Sequence, residues 1–285
     1  MIKAGLVVEG GGMRGVYSSG VLDFFIEKDL FFENNYGVSA GACHLCSYLA
    51  KQYKRAFRVN VDYLNDKRYC SVHSLLKTGN LFGAEMLYDI IPNELDLFDY
   101  DTYNKNKSNF YVVITDINIG KPEYVKIGDL KKDIIYVRAS SSLPLLAQNV
   151  KINDKEYLDG GISDSIPIKK SIADGNKKNV VILTRDSTYR KGKNSLMPII
   201  KLKYKKYPNF VKSMADRYIV YNEILDFIKE LEDNGDVFVI RPKKPVNIGR
   251  TEKNREKLEA LYNDGYNDAK DCYEELLKYL GKENL

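Results

Sequence analysis

The chain has 285 residues, of which 44% are hydrophobic and 29% are charged, and its formal net charge is +5. This length allows one large α/β domain or two small ones, and the composition is ordinary for a globular protein. No apolar run approaches the ~18–20 residues of a membrane-spanning helix. The N-terminal apolar stretch is too short for a signal peptide, and the four cysteines lack the spacing of a disulfide framework. We therefore expect a cytoplasmic protein.

Apolar strand-like runs alternate with helical stretches along the first two thirds of the chain, a pattern that favours a mainly parallel sheet between layers of helices. In chain order, we predict a strand at residues 4–8, a helix at 16–28, a strand-like segment at 36–39, a helix at 40–54, mixed helices and loops at 57–107, strands at 109–115 and 123–127, a hairpin at 150–158 and a strand at 178–184.

Three consecutive glycines, beginning at Gly10, follow the first predicted strand. Gly10, Gly12 and Gly15 have the spacing of a dinucleotide-binding loop, and Glu33 lies roughly where its ribose-binding acid is expected. The same loop has a more general use, because free amide groups before a helix suit any oxyanion. Arg14 adds positive charge beside them. The loop alone leaves both uses open.

The second candidate site is Ser39, which lies between Gly37 and Gly41 at the end of the second strand-like segment. This Gly-x-Ser-x-Gly spacing is typical of a nucleophile on a sharp strand-to-helix turn, where small neighbours allow close packing. The dipole of the following helix would stabilise negative charge on the serine oxygen.

A nucleophilic serine needs a base, and the two histidines of this chain do not fit that role. His44 lies five residues after Ser39 on the same predicted helix but is rotated off its face, so a core histidine is the favoured interpretation. His73 has no apparent partner. The Cys43–Cys46 pair lacks the second ligand pair of a zinc site, and we predict no metal.

A carboxylate is the alternative base. Asp159 ends the predicted hairpin and is followed by Gly160 and Gly161. Asp-Gly is also a strong turn signal, so spacing alone leaves a turn and a catalytic base open. An exposed carboxylate is a weak base for a serine hydroxyl, whereas partial desolvation would raise its proton affinity.

The composition changes after residue 186. Basic residues are concentrated at positions 190–212, and no acidic residue lies between Asp186 and Asp216. A last strand is predicted at 237–240, and apolar residues at three–four spacing predict helix after residue 251. We expect residues 1–186 to form the core, and residues 187–285 to pack on the same domain as a basic segment, a short strand and a helical C-terminal extension.

Together, three motifs resemble those of the patatin-like phospholipases. They are the loop at residues 10–15, the segment around Ser39 and the Asp-Gly-Gly at 159–161, and their order and spacing match the family. Residues 139–144 resemble its fourth block, and residues 165–167 resemble the segment after Asp-Gly-Gly. The likeness covers about residues 4–185. The chain departs from the family after Pro144, where many relatives carry an aromatic residue and a second proline.

The resemblance implies a three-layer α/β/α fold and a serine–aspartate dyad without histidine. It also implies hydrolysis of phospholipid or another lipid ester through an acyl-serine intermediate, with no metal or cofactor. Carried onto this chain, Ser39 would be the nucleophile, Asp159 the base, Gly10, Gly11 and Gly12 the oxyanion hole, and Arg14 a support for that loop.

For residues 190–212 we expect peripheral contact with an anionic membrane at its inner face, because basic and apolar residues alternate there. No nucleic-acid-binding module is apparent, and the sequence does not set the oligomeric state. Two other functions stay open: a dinucleotide-dependent oxidoreductase and a non-catalytic lipid-binding regulator.

Overall fold

The computed structural model describes residues 1–282, so residues 283–285 of the predicted C-terminal extension lie outside the described part. One eight-stranded sheet has the order β5-β6-β3-β2-β1-β7-β8, with β4 beside β3. The strands are β1 (Ile2–Val8), β2 (Phe32–Val38), β3 (Asn109–Asp116), β4 (Lys121–Ile127), β5 (Val150–Ile152), β6 (Lys155–Asp159), β7 (Asn179–Ile182) and β8 (Val237–Ile240).

The α-helices of the described residues range in length from six residues to 26 residues. They are α1 (Val16–Glu27), α2 (Ala40–Leu49), α3 (Arg55–Val61), α4 (Val72–Thr78), α5 (Tyr100–Lys105), α6 (Leu130–Ser140), α7 (Ile168–Ala173), α8 (Met197–Lys203), α9 (Pro208–Asp233), α10 (Arg255–Asp271) and α11 (Tyr273–Leu280). Met86–Leu95 is a π-helix, and Gly12–Gly15 and Gly160–Ile162 are 3₁₀ turns.

Helices cover both faces of the sheet, as the alternation of side chains along β1 shows. Leu6 and Val8 pack in one core with Phe25 of α1. Val7 points the other way and packs in a separate core with Ile224 of α9. The predicted α/β architecture with a mainly parallel sheet is therefore confirmed, since β3, β2, β1, β7 and β8 run parallel.

Strand β3 determines which residues meet at the carboxyl edge of the sheet. Antiparallel β4 pairs with residues 110–116 of β3 on one side, so β2 and β6 share the other side. Parallel β2 ends with Val38 opposite Val113, and antiparallel β6 ends with Asp159 opposite Ile114. The ends of β2 and β6 therefore face each other.

The predicted helix at residues 16–28 is present as α1, and the ten consecutive residues from its start are all buried. Helix α10 covers its second face. The two helices cross at glycines: a Cβ on Gly20 would lie 2.1 Å from the Tyr262 carbonyl oxygen, and one on Gly265 would lie 2.0 Å from that of Tyr17. Only glycine allows so close a crossing.

The second predicted helix, residues 40–54, is shorter in the structure. Helix α2 ends at Leu49, and α3 begins at Arg55. Lys51 and Lys54 between them have φ angles of 54° and 59°, which no α-helix contains. Within residues 1–282, no helix combines the length and apolar character needed to cross a bilayer.

Candidate active site

Ser39 lies on a sharp turn between β2 and α2. Its φ and ψ angles are 54° and −126°, an uncommon backbone conformation that costs about 1–3 kcal/mol and is found most often at functional sites. A Cβ on Gly37 would lie 2.6 Å from the Cα of Ala42, and one on Gly41 would lie 2.4 Å from the carbonyl oxygen of Val8. The glycines on both sides of Ser39 therefore permit the tight packing of strand against helix.

The structure brings Ser39 and Asp159 together. The Ser39 hydroxyl donates a hydrogen bond of 2.7 Å to Oδ2 of Asp159, as expected from the facing ends of β2 and β6. The other oxygen, Oδ1, accepts a 2.8 Å bond from the Gly161 amide. Burial raises the pKa of Asp159 above its ordinary value, although the positive charge of Arg217 and the bond from Ser39 oppose this. A carboxylate with a raised pKa is a stronger base.

The serine-rich segment at the end of α6 contacts both of these residues. The Ser140 hydroxyl accepts a 2.8 Å bond from the Ser39 amide. The Ser142 carbonyl accepts a 2.9 Å bond from the Asp159 amide. The sequence relates residues 139–144 to a family motif without assigning them a role. These contacts place that segment against both Ser39 and Asp159.

The glycine loop lies beside Ser39 at the same edge of the sheet. Gly10, Gly11, Gly12 and Ser39 line one pocket, and none of the three glycine amides donates a hydrogen bond to another residue within 1–282. A Cβ on Gly10 would lie 2.7 Å from that of Ser39. The Met13 amide donates to the Arg250 carbonyl at 3.1 Å, which fixes the loop from its outer side.

Arg14 is buried and ties the glycine loop to a distant part of the chain. Its Nη1 donates a 3.4 Å bond to the Ile248 carbonyl. Burial, together with the nearby charges of Arg185 and Arg250, lowers the pKa of Arg14 to about 10, so the side chain still carries its charge at neutral pH.

Two family models match parts of this chain. The sequence model of the family described as "Patatin-like phospholipase" matches residues 6–171. The chain belongs to this family. Like the family, it is a hydrolase that acts on ester bonds. A second match, to a domain of unknown function called DUF6363, covers residues 207–281.

Two curated relatives and one solved structure are similar to this patatin-like chain. "Uncharacterized protein YjjU" of Escherichia coli K12 is 29% identical over 86% of this chain and 70% of its own length. "Probable lipid hydrolase 463L" of Invertebrate iridescent virus 6 is 26% identical over 65% of this chain and 71% of its own. The crystal structure of VipD from Legionella pneumophila is 10% identical, has a TM-score of 0.46 and covers 98% of this chain and 67% of its own.

Neither histidine forms a hydrogen bond with the Ser39 side chain. His44 is buried, its Nε2 lies 3.1 Å from the side-chain amide of Asn60, and burial lowers its pKa to about 4. It therefore stays neutral at ordinary pH. His73 is exposed on α4. The hydroxyl of Ser39 is hydrogen-bonded to the Asp159 carboxylate instead.

The position of Glu33 argues against dinucleotide binding. Glu33 is the second residue of β2, which runs parallel to β1, so it lies at the amino end of the sheet. The glycine loop follows the carboxyl end of β1, about 15 Å away at the rise of a strand. A ribose-binding acid must stand at the same edge as the loop, so the expectation for Glu33 is wrong.

A second, mainly apolar cavity also borders Ser39. Its lining residues come from the first 143 positions and include Met13, Cys43, Val59, Tyr69, Phe82, Leu87, Tyr88 and Leu143. Within residues 1–282, no group of three or more His, Cys, Asp or Glu side chains is arranged to hold a metal ion.

Sequence reasoning missed several residues that the C-terminal part supplies to this site. Nε of Arg217, on α9, donates to the Gly161 carbonyl next to Asp159. The Tyr221 hydroxyl donates a 2.5 Å bond to buried Glu9, which also accepts from the amide of Thr184. The sequence offers no local signal for these contacts, because each joins residues more than 50 positions apart.

Proposed function

We propose that the protein is a lipid acyl hydrolase in which Ser39 is the nucleophile and Asp159 the general base. The observation that carries the proposal is the 2.7 Å hydrogen bond from the Ser39 hydroxyl to a buried carboxylate. A nucleophile within hydrogen-bond reach of its base is the arrangement that covalent catalysis requires.

The chemistry follows from this geometry in two steps. Ser39 attacks the ester carbonyl while its proton passes to Asp159, and the alcohol leaves with that proton as the tetrahedral intermediate collapses to an acyl-serine. Water then attacks the acyl-serine while Asp159 takes its proton, and Asp159 passes that proton to the Ser39 oxygen as the fatty acid is released. The unpaired amides of Gly10, Gly11 and Gly12 would bind the oxyanion, where a single donor is worth about 10²–10³-fold in rate.

The substrate class is supported from two sides. The family is described by its phospholipase activity, and one relative carries the name "Probable lipid hydrolase". The apolar cavity beside Ser39 is suited to an acyl chain, because its walls are largely aliphatic and aromatic. The ester carbonyl would then lie between this cavity and the glycine loop.

A fluorophosphonate probe and a p-nitrophenyl ester test this proposal. Wild type should react with the probe and hydrolyse the ester, whereas Ser39→Ala should do neither and Asp159→Asn should lose most turnover while remaining folded. Asp154→Asn is a matched control, since Asp154 is exposed in the turn of the same hairpin. Substantial ester hydrolysis by folded Ser39→Ala would refute the proposal.

We further propose that the face around α8 contacts an anionic membrane from the cytoplasmic side. Three apolar side chains, Leu196, Ile199 and Leu202, are 49%, 53% and 74% exposed there. They are interleaved with exposed lysines at positions 201, 203, 205 and 206. This combination suits an interfacial helix, with apolar residues entering the lipid and lysines near its headgroups.

Two residues of the predicted membrane-binding stretch have other contacts. Arg190 forms an ion pair with Asp226 at 2.8 Å, and Lys191 lines the pocket of Ser39. We therefore expect α8 and the lysines after it to carry the membrane contact. The fraction of protein that co-sediments with phosphatidylglycerol liposomes should fall as the salt concentration rises, and it should be lower for Leu202→Ser than for wild type. Equal binding to purely phosphatidylcholine liposomes would contradict this expectation.

A further inference from the structure

Glu9 is a buried carboxylate at the start of the glycine loop, and the catalytic steps proposed above do not use it. It follows β1 directly and precedes Gly10, and it is only 3% exposed. Burying a carboxylate is costly unless hydrogen bonds stabilise its charge. The donors that reach Glu9 therefore indicate which parts of the chain hold the start of the loop.

Two of these donors come from the segment after β7, and a third comes from α9. Oε2 of Glu9 accepts bonds from the amide and the hydroxyl of Thr184, at 2.7 and 2.9 Å. Oε1 accepts a 2.5 Å bond from the Tyr221 hydroxyl. Burial and the charge of Glu9 raise the pKa of Tyr221, so the phenol keeps its proton and remains a donor. Of these three bonds, the one from Tyr221 joins the start of the glycine loop to α9.

The backbone at Glu9 and Gly10 packs directly against the turn that carries Ser39. A Cβ on Gly41, two residues after Ser39, would lie 2.8 Å from the Glu9 carbonyl oxygen. A Cβ on Gly10 would lie 2.7 Å from that of Ser39. A shift of Glu9 would therefore change the separation between Ser39 and the amides of the loop.

Helix α9 also contacts the other half of the site. Arg217 lies four residues before Tyr221, so the two side chains share one face of the helix. Nε of Arg217 donates to the Gly161 carbonyl, and the Gly161 amide donates to Asp159. One face of α9 thus reaches both the start of the glycine loop and the segment that follows the proposed base.

We propose that Tyr221 is a positioning residue, whose hydrogen bond to Glu9 sets the distance between the glycine loop and Ser39 and so places the loop amides where the oxyanion forms. Helix α9 lies within residues 207–281, the segment matched by the domain of unknown function, and outside residues 6–171. The inference therefore gives that segment a part in catalysis. It rests on the function proposed above, because it assumes that the serine attacks an ester and that the loop binds the oxyanion.

Tyr221→Phe tests the hydrogen bond alone, because it removes the hydroxyl and keeps the ring that packs in the core. Complete reaction with a fluorophosphonate counts the active sites, and kcat for p-nitrophenyl butyrate is expressed per reactive site, which removes any effect of a smaller folded fraction. We expect kcat to fall about tenfold, with KM within about twofold of wild type, because the loop acts on the transition state. The loss is smaller than the ~10²–10³-fold cost of losing an oxyanion donor outright, since the amides are still present but are held less firmly.

Tyr262→Phe is the matched control. The Tyr262 hydroxyl donates a 2.9 Å bond to the buried carboxylate of Asp23, and neither residue lines the pocket of Ser39. This variant should lower the melting temperature by about as much as Tyr221→Phe does, but it should leave kcat per reactive site unchanged. An equal fall in kcat for both variants would overturn the proposal, because the loss of any buried tyrosine–carboxylate bond would then have the same effect.

A double-mutant cycle tests whether Tyr221 acts through the glycine loop. Gly10→Ala displaces the loop by itself, since the added Cβ would lie 2.6 Å from the Val38 carbonyl oxygen. In this background, Tyr221→Phe should lower kcat by less than about threefold, because residues that act on the same element are not additive. An equal loss in the Gly10→Ala and wild-type backgrounds would mean that Tyr221 acts elsewhere, and it would overturn the proposal.

The outcomes separate this inference from the proposed function. Wild type may hydrolyse the ester and Ser39→Ala fail to do so, while Tyr221→Phe keeps kcat within about twofold of wild type. That result would overturn the positioning role and leave the hydrolase intact. If wild type neither reacts with the fluorophosphonate nor hydrolyses the ester, the proposed function fails and this inference fails with it.

Discussion

Replacing Gly10 by alanine tests whether the distance between the glycine loop and Ser39 matters for catalysis. An added Cβ would lie 2.6 Å from the Val38 carbonyl oxygen and 2.7 Å from the Cβ of Ser39. Carbon atoms in contact prefer separations of about 3.5–4.0 Å, so the loop and the turn would have to move apart by roughly 1 Å. A displacement of that size costs about 10²-fold in rate, and we expect a loss of that order in kcat/KM.

Gly11→Ala is the matched comparison, because its Cβ would meet the side chains of Thr184 and Arg14 at 3.1 and 3.3 Å rather than the turn. We therefore expect a clearly smaller loss. The assay is p-nitrophenyl butyrate hydrolysis together with the rate of fluorophosphonate labelling, and thermal melting checks that both variants fold. If folded Gly10→Ala keeps activity within about threefold of wild type, the required geometry is looser than the positioning argument assumes.

Two further predictions concern pH and stability. Asp159 must be ionised to act as a base, and burial raises its pKa, so kcat/KM should fall with decreasing pH along a limb above pH ~3.9. Arg217→Gln removes a charge that lowers this pKa and should move the limb to higher pH. A wild-type limb at or below the ordinary pKa of an aspartate would contradict the reasoning. Gly265→Ala should reduce the free energy of unfolding by about 1–3 kcal/mol in denaturant titrations, whereas Gly192→Ala, with no atom within 4 Å of the added Cβ, should leave it unchanged.

The parts of the fold that local patterns encode were predictable. The strand at residues 109–115 and the hairpin turn at Asn153 follow from apolar runs and turn residues. Ser39 and Asp159 could be chosen as partners because their flanking glycines are the signature of a family motif. That the two residues meet also depends on β2 and β6 sharing one side of β3, which no local pattern contains.

Contacts between distant segments cannot be predicted from local sequence patterns. Burial of α1 on both faces depends on α10, which lies more than 200 residues later in the chain. The sequence pattern of α1 alone does not indicate that a second helix will pack on its other face. Arg217 and Arg250 belong to stretches that look like ordinary charged surface. Their place beside Asp159 arises only from the packing of the C-terminal part against the sheet.

The bond from the Met13 amide to the Arg250 carbonyl, together with the crossing of α1 and α10, bears on the order of events during synthesis. Ser39 and Asp159 leave the ribosome well before Arg250 does. Until the later residues emerge, the glycine loop lacks its outer hydrogen bond and α1 lacks the helix that covers its second face. A nascent chain that already contains Ser39 and Asp159 therefore still lacks two of the contacts that position the glycine loop and α1 in the folded protein.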